Sequence, residues 1–367
     1  MPRKIVIIGA SELQNPLILK AKELGFETHV FAWECGDIGE RTADRFYPIS
    51  IVEKDRILAI CREIQPVAVA SIASDLAAIT VNYLANALGL PSNPPETAFI
   101  ASNKYAMRGA FQAAGIPTPA FAKVGIGDDL SAVHAMQLPI IVKPTDRSGS
   151  RGIYKLTSLE GLEEAIAHSV EASFEKKAIV EEYIEGNEYS FETISQNGVH
   201  HYLSITKKFT TGSPHFIETG HFEPAPVSAE TFERVKQVVI HALDSLEIRN
   251  SASHSEIKIT PSGDIRLIEI GGRMGGDCIG SDLVRYSTGI DYVRAVIQVA
   301  CGVEPDLTPV CDPIPVEVRF LFTQEDVDEM NRIQSTDRFL KLVAYFPECL
   351  GQATDSSNRA GCYIIKG

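Results

Sequence analysis

None of the seven cysteines (35, 61, 278, 301, 311, 349 and 362) forms a C-x-x-C pair, which excludes a zinc ribbon or a dithiol redox motif. Their odd number and wide spacing speak against a disulfide framework and for reduced thiols in a cytoplasmic protein. Positive charge is scarce. The 34 Lys and Arg against 48 Asp and Glu leave a net charge of −14, which disfavours a general nucleic-acid or anionic-membrane surface but permits a local basic pocket for phosphate. No apolar run reaches membrane-spanning length. The N-terminus, Met1-Pro-Arg-Lys and then Ile-Val-Ile-Ile-Gly, lacks the apolar segment and cleavage site of a signal peptide and reads as a first buried strand. The loop Gly9–Gln14 has one glycine where a dinucleotide fingerprint needs three, so Glu34 at the end of the second strand does not by itself make a nicotinamide site. No convincing Ser-His-Asp or Cys-His signature is present.

What is present is an ordinary globular mixture, 44% hydrophobic and 22% charged over 367 residues, long enough for two or three domains. Residues 4–100 alternate strands (Lys4–Gly9, Glu27–Ala32, Ala68–Ala70) with helices (Asn15–Leu24, Lys54–Ile64, Leu76–Leu88). That alternation predicts a parallel sheet with helices on both faces. A proline-rich connector, Pro91–Pro95, closes this unit, and a helix from about Asn103 to Ala114 stops at Gly115-Ile-Pro-Thr-Pro119. Residues 120–210 are mixed, with strands at Ile140–Lys143, Ile153–Leu156, Ala178–Tyr183 and Glu188–Thr193 and a helix at Leu159–Val170. Residues 230–247 and Ile290–Cys301 are helical, and from Val316 the pattern returns to strands.

The stretch Glu256 to Arg273 reads as two strands around a Pro-Ser-Gly-Asp turn. A loop of two residues (Ser262, Gly263) or of four (Pro261 to Asp264) sets Thr260 against Ile265, Lys258 against Leu267 and Glu256 against Glu269. Like charges directly opposed across a strand pair are destabilising, and two carboxylates so placed call for a cation such as Mg²⁺. The alternative is a solvated hairpin whose glutamates spread apart. Strand Pro139–Lys143 ends in a lysine and leads into Ser148-Gly-Ser-Arg-Gly152, whose backbone N–H groups could wrap phosphate oxygens, although a plain hairpin turn has the same composition. Because a strand follows, this is a β-hairpin lid and not a GxxxxGK[ST] loop. Glu181-Glu-Tyr-Ile-Glu-Gly-Asn-Glu188 is a strand connection able to present backbone groups to a planar base and Glu188 to ribose, or else an exposed hairpin with acidic edges.

Taken in order, Lys104, Lys143, the Ser-Gly-Ser-Arg-Gly loop, the Glu181–Glu188 connection, Glu256 and Glu269-x-x-x-Arg273 resemble the ATP-grasp superfamily of carboxylate–amine and carboxylate–thiol ligases. The resemblance implies an N-terminal parallel α/β domain (residues 1–100) followed by an ATP-grasp fold of two α+β subdomains. These would be a small one with the phosphate lid (101–186) and a large one with the metal site (187–310), before a strand-containing C-terminal extension (311–367). It implies ATP and Mg²⁺ (or Mn²⁺) as cofactors, small-molecule carboxylate and amine partners, and a homodimer. By the same resemblance Lys104 and Lys143 contact ATP phosphates, and Ser148, Gly149 and Ser150 belong to the lid. Glu181, Glu182, Tyr183 and Ile184 form the adenine hinge, Glu188 binds ribose, and Glu256 and Glu269 hold the metal. Arg273 is implied to steady the acyl phosphate and the oxyanion formed on amine attack. Many members carry Asn two residues after the second glutamate as a further metal ligand; this chain has Gly271.

Glu218-Thr-Gly-His221, His254-Ser-Glu256 and Gly271-Gly-Arg-Met-Gly-Gly-Asp277 resemble the branch of L-amino-acid ligases and carnosine-synthase-like enzymes. That branch places Glu218, His221, Arg273, Gly275 and Gly276 around the substrate. Purine-pathway ligases and a non-catalytic ATP-binding homologue are the alternatives. A carbamoyl-phosphate-synthase-like enzyme would repeat the module, and this chain has one copy.

Overall fold

The computed structural model describes residues 2–149, 151–213, 216–356 and 358–367. The chain begins with a parallel sheet whose spatial order is Arg45–Pro48, Glu27–Ala32, Lys4–Ile8, Ala68–Ala70. Ile5, Val6, Ile7 and Ile8 are all fully buried, because a parallel sheet is covered on both faces and its strands are continuous apolar runs. Helices Lys54–Ile64 and Asp75–Leu88 cover one face. Helix Asn15–Glu23 covers the other together with Tyr292–Ala300, which arrives from far along the chain. The strand Arg45–Pro48 and the helix Pro95–Ile100 have no counterpart in the sequence-based expectation. The first is an edge strand of four residues ending in proline, with Phe46 and Tyr47 packed against the cores on either face. In the second, Pro94-Pro95 initiates a helix where it reads as a connector, since proline is compatible with the first helical position.

A second sheet is antiparallel, in the order Phe121–Val124, Ala178–Glu182, Ile140–Pro144, Tyr154–Leu156, and is backed by helix Leu162–Ala172. The third has eight antiparallel strands in the order Ile265–Gly271, Ser251–Ile259, Asn187–Gln196, Val199–Thr210, Glu218–Glu223, Val316–Phe320, Gly361–Lys366, Phe339–Tyr345. The C-terminal segment therefore extends the same sheet that carries the paired glutamates. One face of this sheet presents Phe191, Ile205, Ile257, Leu267 and Ile270 to Val235, Val239 and Leu243 of helix Ala229–Ser245. Strand alternation turns Ser190, Glu192, Ser204, Thr206, Lys208, His221, Glu223, His254 and Glu256 to the opposite face. Among the described residues no helix is long and apolar enough to cross a membrane.

Asn93 joins the N-terminal unit to the large sheet. Its carbonyl accepts from the backbone N–H groups of Arg249 (2.7 Å) and Asn250 (2.8 Å), and its amide donates to the Ser251 hydroxyl (3.0 Å). Asn93→Ala should cost about 1–3 kcal/mol by leaving these buried groups without partners, read as a lower midpoint of urea unfolding.

Candidate functional site

The hairpin brings Glu256 opposite Glu269 as expected, but by a different route. The loop has three residues, Pro261, Ser262 and Gly263, closed by the Thr260 N–H donating to the Asp264 carbonyl at 2.9 Å, with Gly263 left-handed (φ 82°). Ile259 thus faces Ile265, Lys258 faces Arg266 and Ile257 faces Leu267. The expected pairings Lys258–Leu267 and Thr260–Ile265 are wrong by one residue. The register then shifts between Ile257 and Glu256, leaving Ile268 as an extra residue on its strand. This bulge is decisive. Without it Glu269 would share a face with Leu267 and enter the apolar core; with it Glu269 turns to the polar face beside Glu256.

Each carboxylate has its own cation. Lys104, at the start of helix Lys104–Ala113, places Nζ 2.9 Å from Glu269 and donates to the Arg147 carbonyl of the lid at 2.7 Å. Lys208 lies 2.6 Å from Glu256, 3.4 Å from Glu188 and 3.7 Å from Glu218. Burial disfavours the Lys208 charge, but these three carboxylates outweigh it and hold its pKa well above the ordinary value. Lys208 is absent from the sequence-based site, since Lys207-Lys208 reads as ordinary strand charge and only the register shows which of the two faces inward. His254 donates toward Glu192, its cross-strand neighbour, and lies 3.4 Å from Glu256. Burial alone would lower its pKa; Glu192 and then Glu256 push it up to about 9, so the ring is an imidazolium.

Lys143 is buried 2.5 Å from Glu181, whose other oxygen pairs with Arg108. Burial opposes the Glu181 charge, but Arg108 and Lys143 bring its pKa down to about 2. Glu181 therefore belongs to an internal ion triad and does not present its carboxylate to an open hinge. Glu182 points elsewhere, accepting from the Gln137 N–H at 2.8 Å. The Tyr183 ring lies beneath Lys155 and Lys258, and the Ile184 carbonyl accepts from Lys258 at 3.2 Å. In the lid the Ser148 carbonyl accepts from Arg151 and Gly149 is exposed; Ser150 lies outside the described residues.

On the opposite side Arg273 forms a two-point fork with Asp75, Nε–Oδ1 2.8 Å and Nη2–Oδ2 3.1 Å. Glu218 accepts from the Ser356 hydroxyl, and His221 is buried edge-on against Phe320, with neither ring nitrogen hydrogen-bonded among the described residues. Asp277, 3.8 Å from its Nε2, is bound at 2.6 Å by Arg359 of the C-terminal segment. Gly275 donates its N–H to Glu192 (3.0 Å), and a β-carbon there would stand 2.8 Å from both Glu192 and His254, so this glycine admits the ion pair. Gly276 lies against Ala73. Both glycines thus have packing roles. Asp75, Arg108, Glu192 and Arg359 join the site only through long-range contacts that no local motif announces.

Among the described residues no group of three or more His, Cys, Asp or Glu is placed to hold a metal ion unaided. The donor set of two facing carboxylates still fits magnesium, which is commonly held by one or two carboxylates and completed by phosphate oxygens and water. Lys104 and Lys208 already sit as counter-charges on those two carboxylates.

Residues 136–282 match the ATP-grasp domain family. The chain is 27% identical over 244 residues to the alanine–anticapsin ligase of Bacillus subtilis, covering 60% of this chain and 51% of that one. It spans about half the length of the first curated relatives it matches. Among solved structures, an L-amino acid ligase from Bacillus licheniformis superposes with a TM-score of 0.82 at 22% identity, covering 99% of this chain and 93% of that one. A phosphoribosylglycinamide synthetase from Anaerococcus prevotii gives 0.78 at 21% identity, covering 99% and 94%. The fold is therefore the ATP-grasp fold.

The folded state binds the His254 proton more tightly than the unfolded chain does. Its contribution is complete below the ordinary imidazole value of 6.5 and is lost as pH rises toward 9. The stability difference between wild type and His254→Asn should therefore shrink across that window, followed by urea unfolding at stepped pH. A difference that stays constant would rule out the buried imidazolium.

Proposed function

We propose, from the ATP-grasp domain this chain carries, that the protein is an ATP-dependent carboxylate–amine ligase joining two amino acids, or an amino acid and a small acid. The observation carrying this is the facing pair Glu256 and Glu269, each backed by a lysine from a different element. Lys104, Lys143 and Lys208 would meet the triphosphate, under the lid containing Ser148 and Gly149. Glu182 to Ile184 would flank adenine and Glu188 the ribose, with Glu181 holding Lys143 in place. Glu256 and Glu269 would hold magnesium, which as a Lewis acid stabilises charge on the transferring phosphoryl group.

The substrate carboxylate oxygen attacks the γ-phosphorus, the bond to the β–γ bridging oxygen breaks, and ADP leaves. The amine nitrogen, having lost one proton to give a free lone pair, attacks the carbonyl carbon of the acyl phosphate. Arg273 stabilises the tetrahedral oxyanion through the guanidinium N–H groups not turned to Asp75. The carbon–oxygen bond to phosphate then breaks, inorganic phosphate leaves, and the nitrogen gives up a second proton to form the amide. Glu218 and His221 stand on the polar face beside Lys208, where the substrates would lie.

An amino-acid ligase is favoured over a purine-pathway enzyme because the curated relative acts on alanine by its name, whereas the phosphoribosylglycinamide synthetase likeness is one of fold. The test is a screen of paired amino acids for ADP release with mass detection of product. ATP binding with no condensation from any pair would reject the ligase and leave a nucleotide-binding homologue. In the active pair, Glu269→Gln should lower magnesium-dependent turnover by at least about 100-fold with ATP binding kept. Unchanged turnover would remove Glu269 from the metal site.

A further inference from the structure

The position that carries a metal-binding Asn in many ATP-grasp sequences is Gly271 here, and the structure shows what occupies the space. A β-carbon built on Gly271 would lie 2.7 Å from Oδ1 of Asp75 and 3.2 Å from Nε of Arg273. Any side chain at 271 would therefore collide with the Asp75–Arg273 fork. Asp75 opens helix Asp75–Leu88, behind the Ser74 cap whose hydroxyl accepts from the Ala77 N–H. A carboxylate in that first turn is favoured by the helix dipole. Ala73, just before it, is left-handed (φ 59°), a conformation that costs a non-glycine residue, and donates its N–H to the Met274 carbonyl at 3.1 Å. Residues 73–75 are thus docked on residues 271–276 through a backbone bond, a β-carbon approach at Gly276 and the two-point ion pair.

The geometry points to Asp75 as the positioning residue for Arg273: this chain exchanges the side chain at 271 for a carboxylate from its N-terminal domain that fixes the guanidinium plane at the reaction centre. The inference rests on the ligase function proposed above. An unclamped arginine has several rotamers, and a misplacement of about 1 Å can cost about 100-fold in rate. Acyl phosphate formation, which relies chiefly on the lysines and the paired glutamates, does not depend strongly on the clamp. Amine attack, which develops the oxyanion, does.

Two measurements decide it. In a double-mutant cycle read by urea midpoint, Gly271→Asn should destabilise the wild type but much less the Asp75→Ala background, because the contested space is then free. Additive shifts would overturn the clamp. Separately, the protein is given MgATP and an equimolar mixture of the twenty standard L-amino acids, with and without hydroxylamine to trap acyl phosphate as hydroxamate. Asp75→Asn and Gly271→Asn should each form condensation product about 100-fold more slowly while hydroxamate formation persists. Asp75→Glu should recover part of the loss. Wild-type product formation by Asp75→Asn, equal loss of product and hydroxamate, or faster turnover by Gly271→Asn would each overturn the inference. A wild type yielding neither product nor hydroxamate from the mixture would reject the ligase function for these substrates, and the urea cycle would still judge the clamp.

Discussion

Two carboxylates forced to face each other across a strand pair organise everything around them. Glu256 and Glu269 repel, and their partial burial weakens the screening that water would give. The molecule answers with cations drawn from separate parts of the chain: Lys208 from a strand two places along the sheet from Glu256, Lys104 from the start of helix Lys104–Ala113, and His254 two residues before Glu256 on the same strand. That arrangement leaves a dense, nearly balanced set of charges on one face of a sheet. A magnesium–triphosphate entering it would replace one set of counter-ions by another without leaving a carboxylate unpaired.

Such a face is expensive to bury, and the opposite face carries the weight. Phe191, Ile205, Ile257, Leu267 and Ile270 are packed on a single long helix, so the strands that hold the charges are anchored by apolar contact on their other side. The bulge at Ile268 reconciles the two demands. It lets Leu267 and Ile270 both reach the core while Glu269, between them, turns away from it. The N-terminal unit adds Asp75 and the connection before the last strand adds Arg359, so each flank of the polar face is closed by a different part of the chain.

Elements with strong periodicity are legible from residues alone. Lys54–Ile64, Ala68–Ala70 and Glu27–Ala32 fall where apolar spacing puts them. The helix at Pro95 and the edge strand at Arg45 do not, because elements of four to six residues are too short to show a period and hold their conformation through neighbours. The glutamate pairing is more instructive. A uniform register predicts it correctly, yet that register is off by one at the turn, and the bulge cancels the error. The sequence carried a warning, since a uniform register would set core-facing Leu267 on the same face as Glu269. Only the packed helix beneath says which of the two must yield.

The order of lysines, loop and glutamates along the chain pointed to the fold and to the chemistry proposed above, because that order rests on local residue type and spacing that a strand or hairpin displays directly. The partners of those residues were decided by tertiary structure alone: Lys208 and not Lys207, Glu181 turned inward to Lys143 and Arg108, and Asp75 seated where a side chain at 271 would stand. The physical reason is that charge pairing in a buried face is set by distances of a few ångströms between residues as much as 198 positions apart, and spacing along the chain contains no record of them.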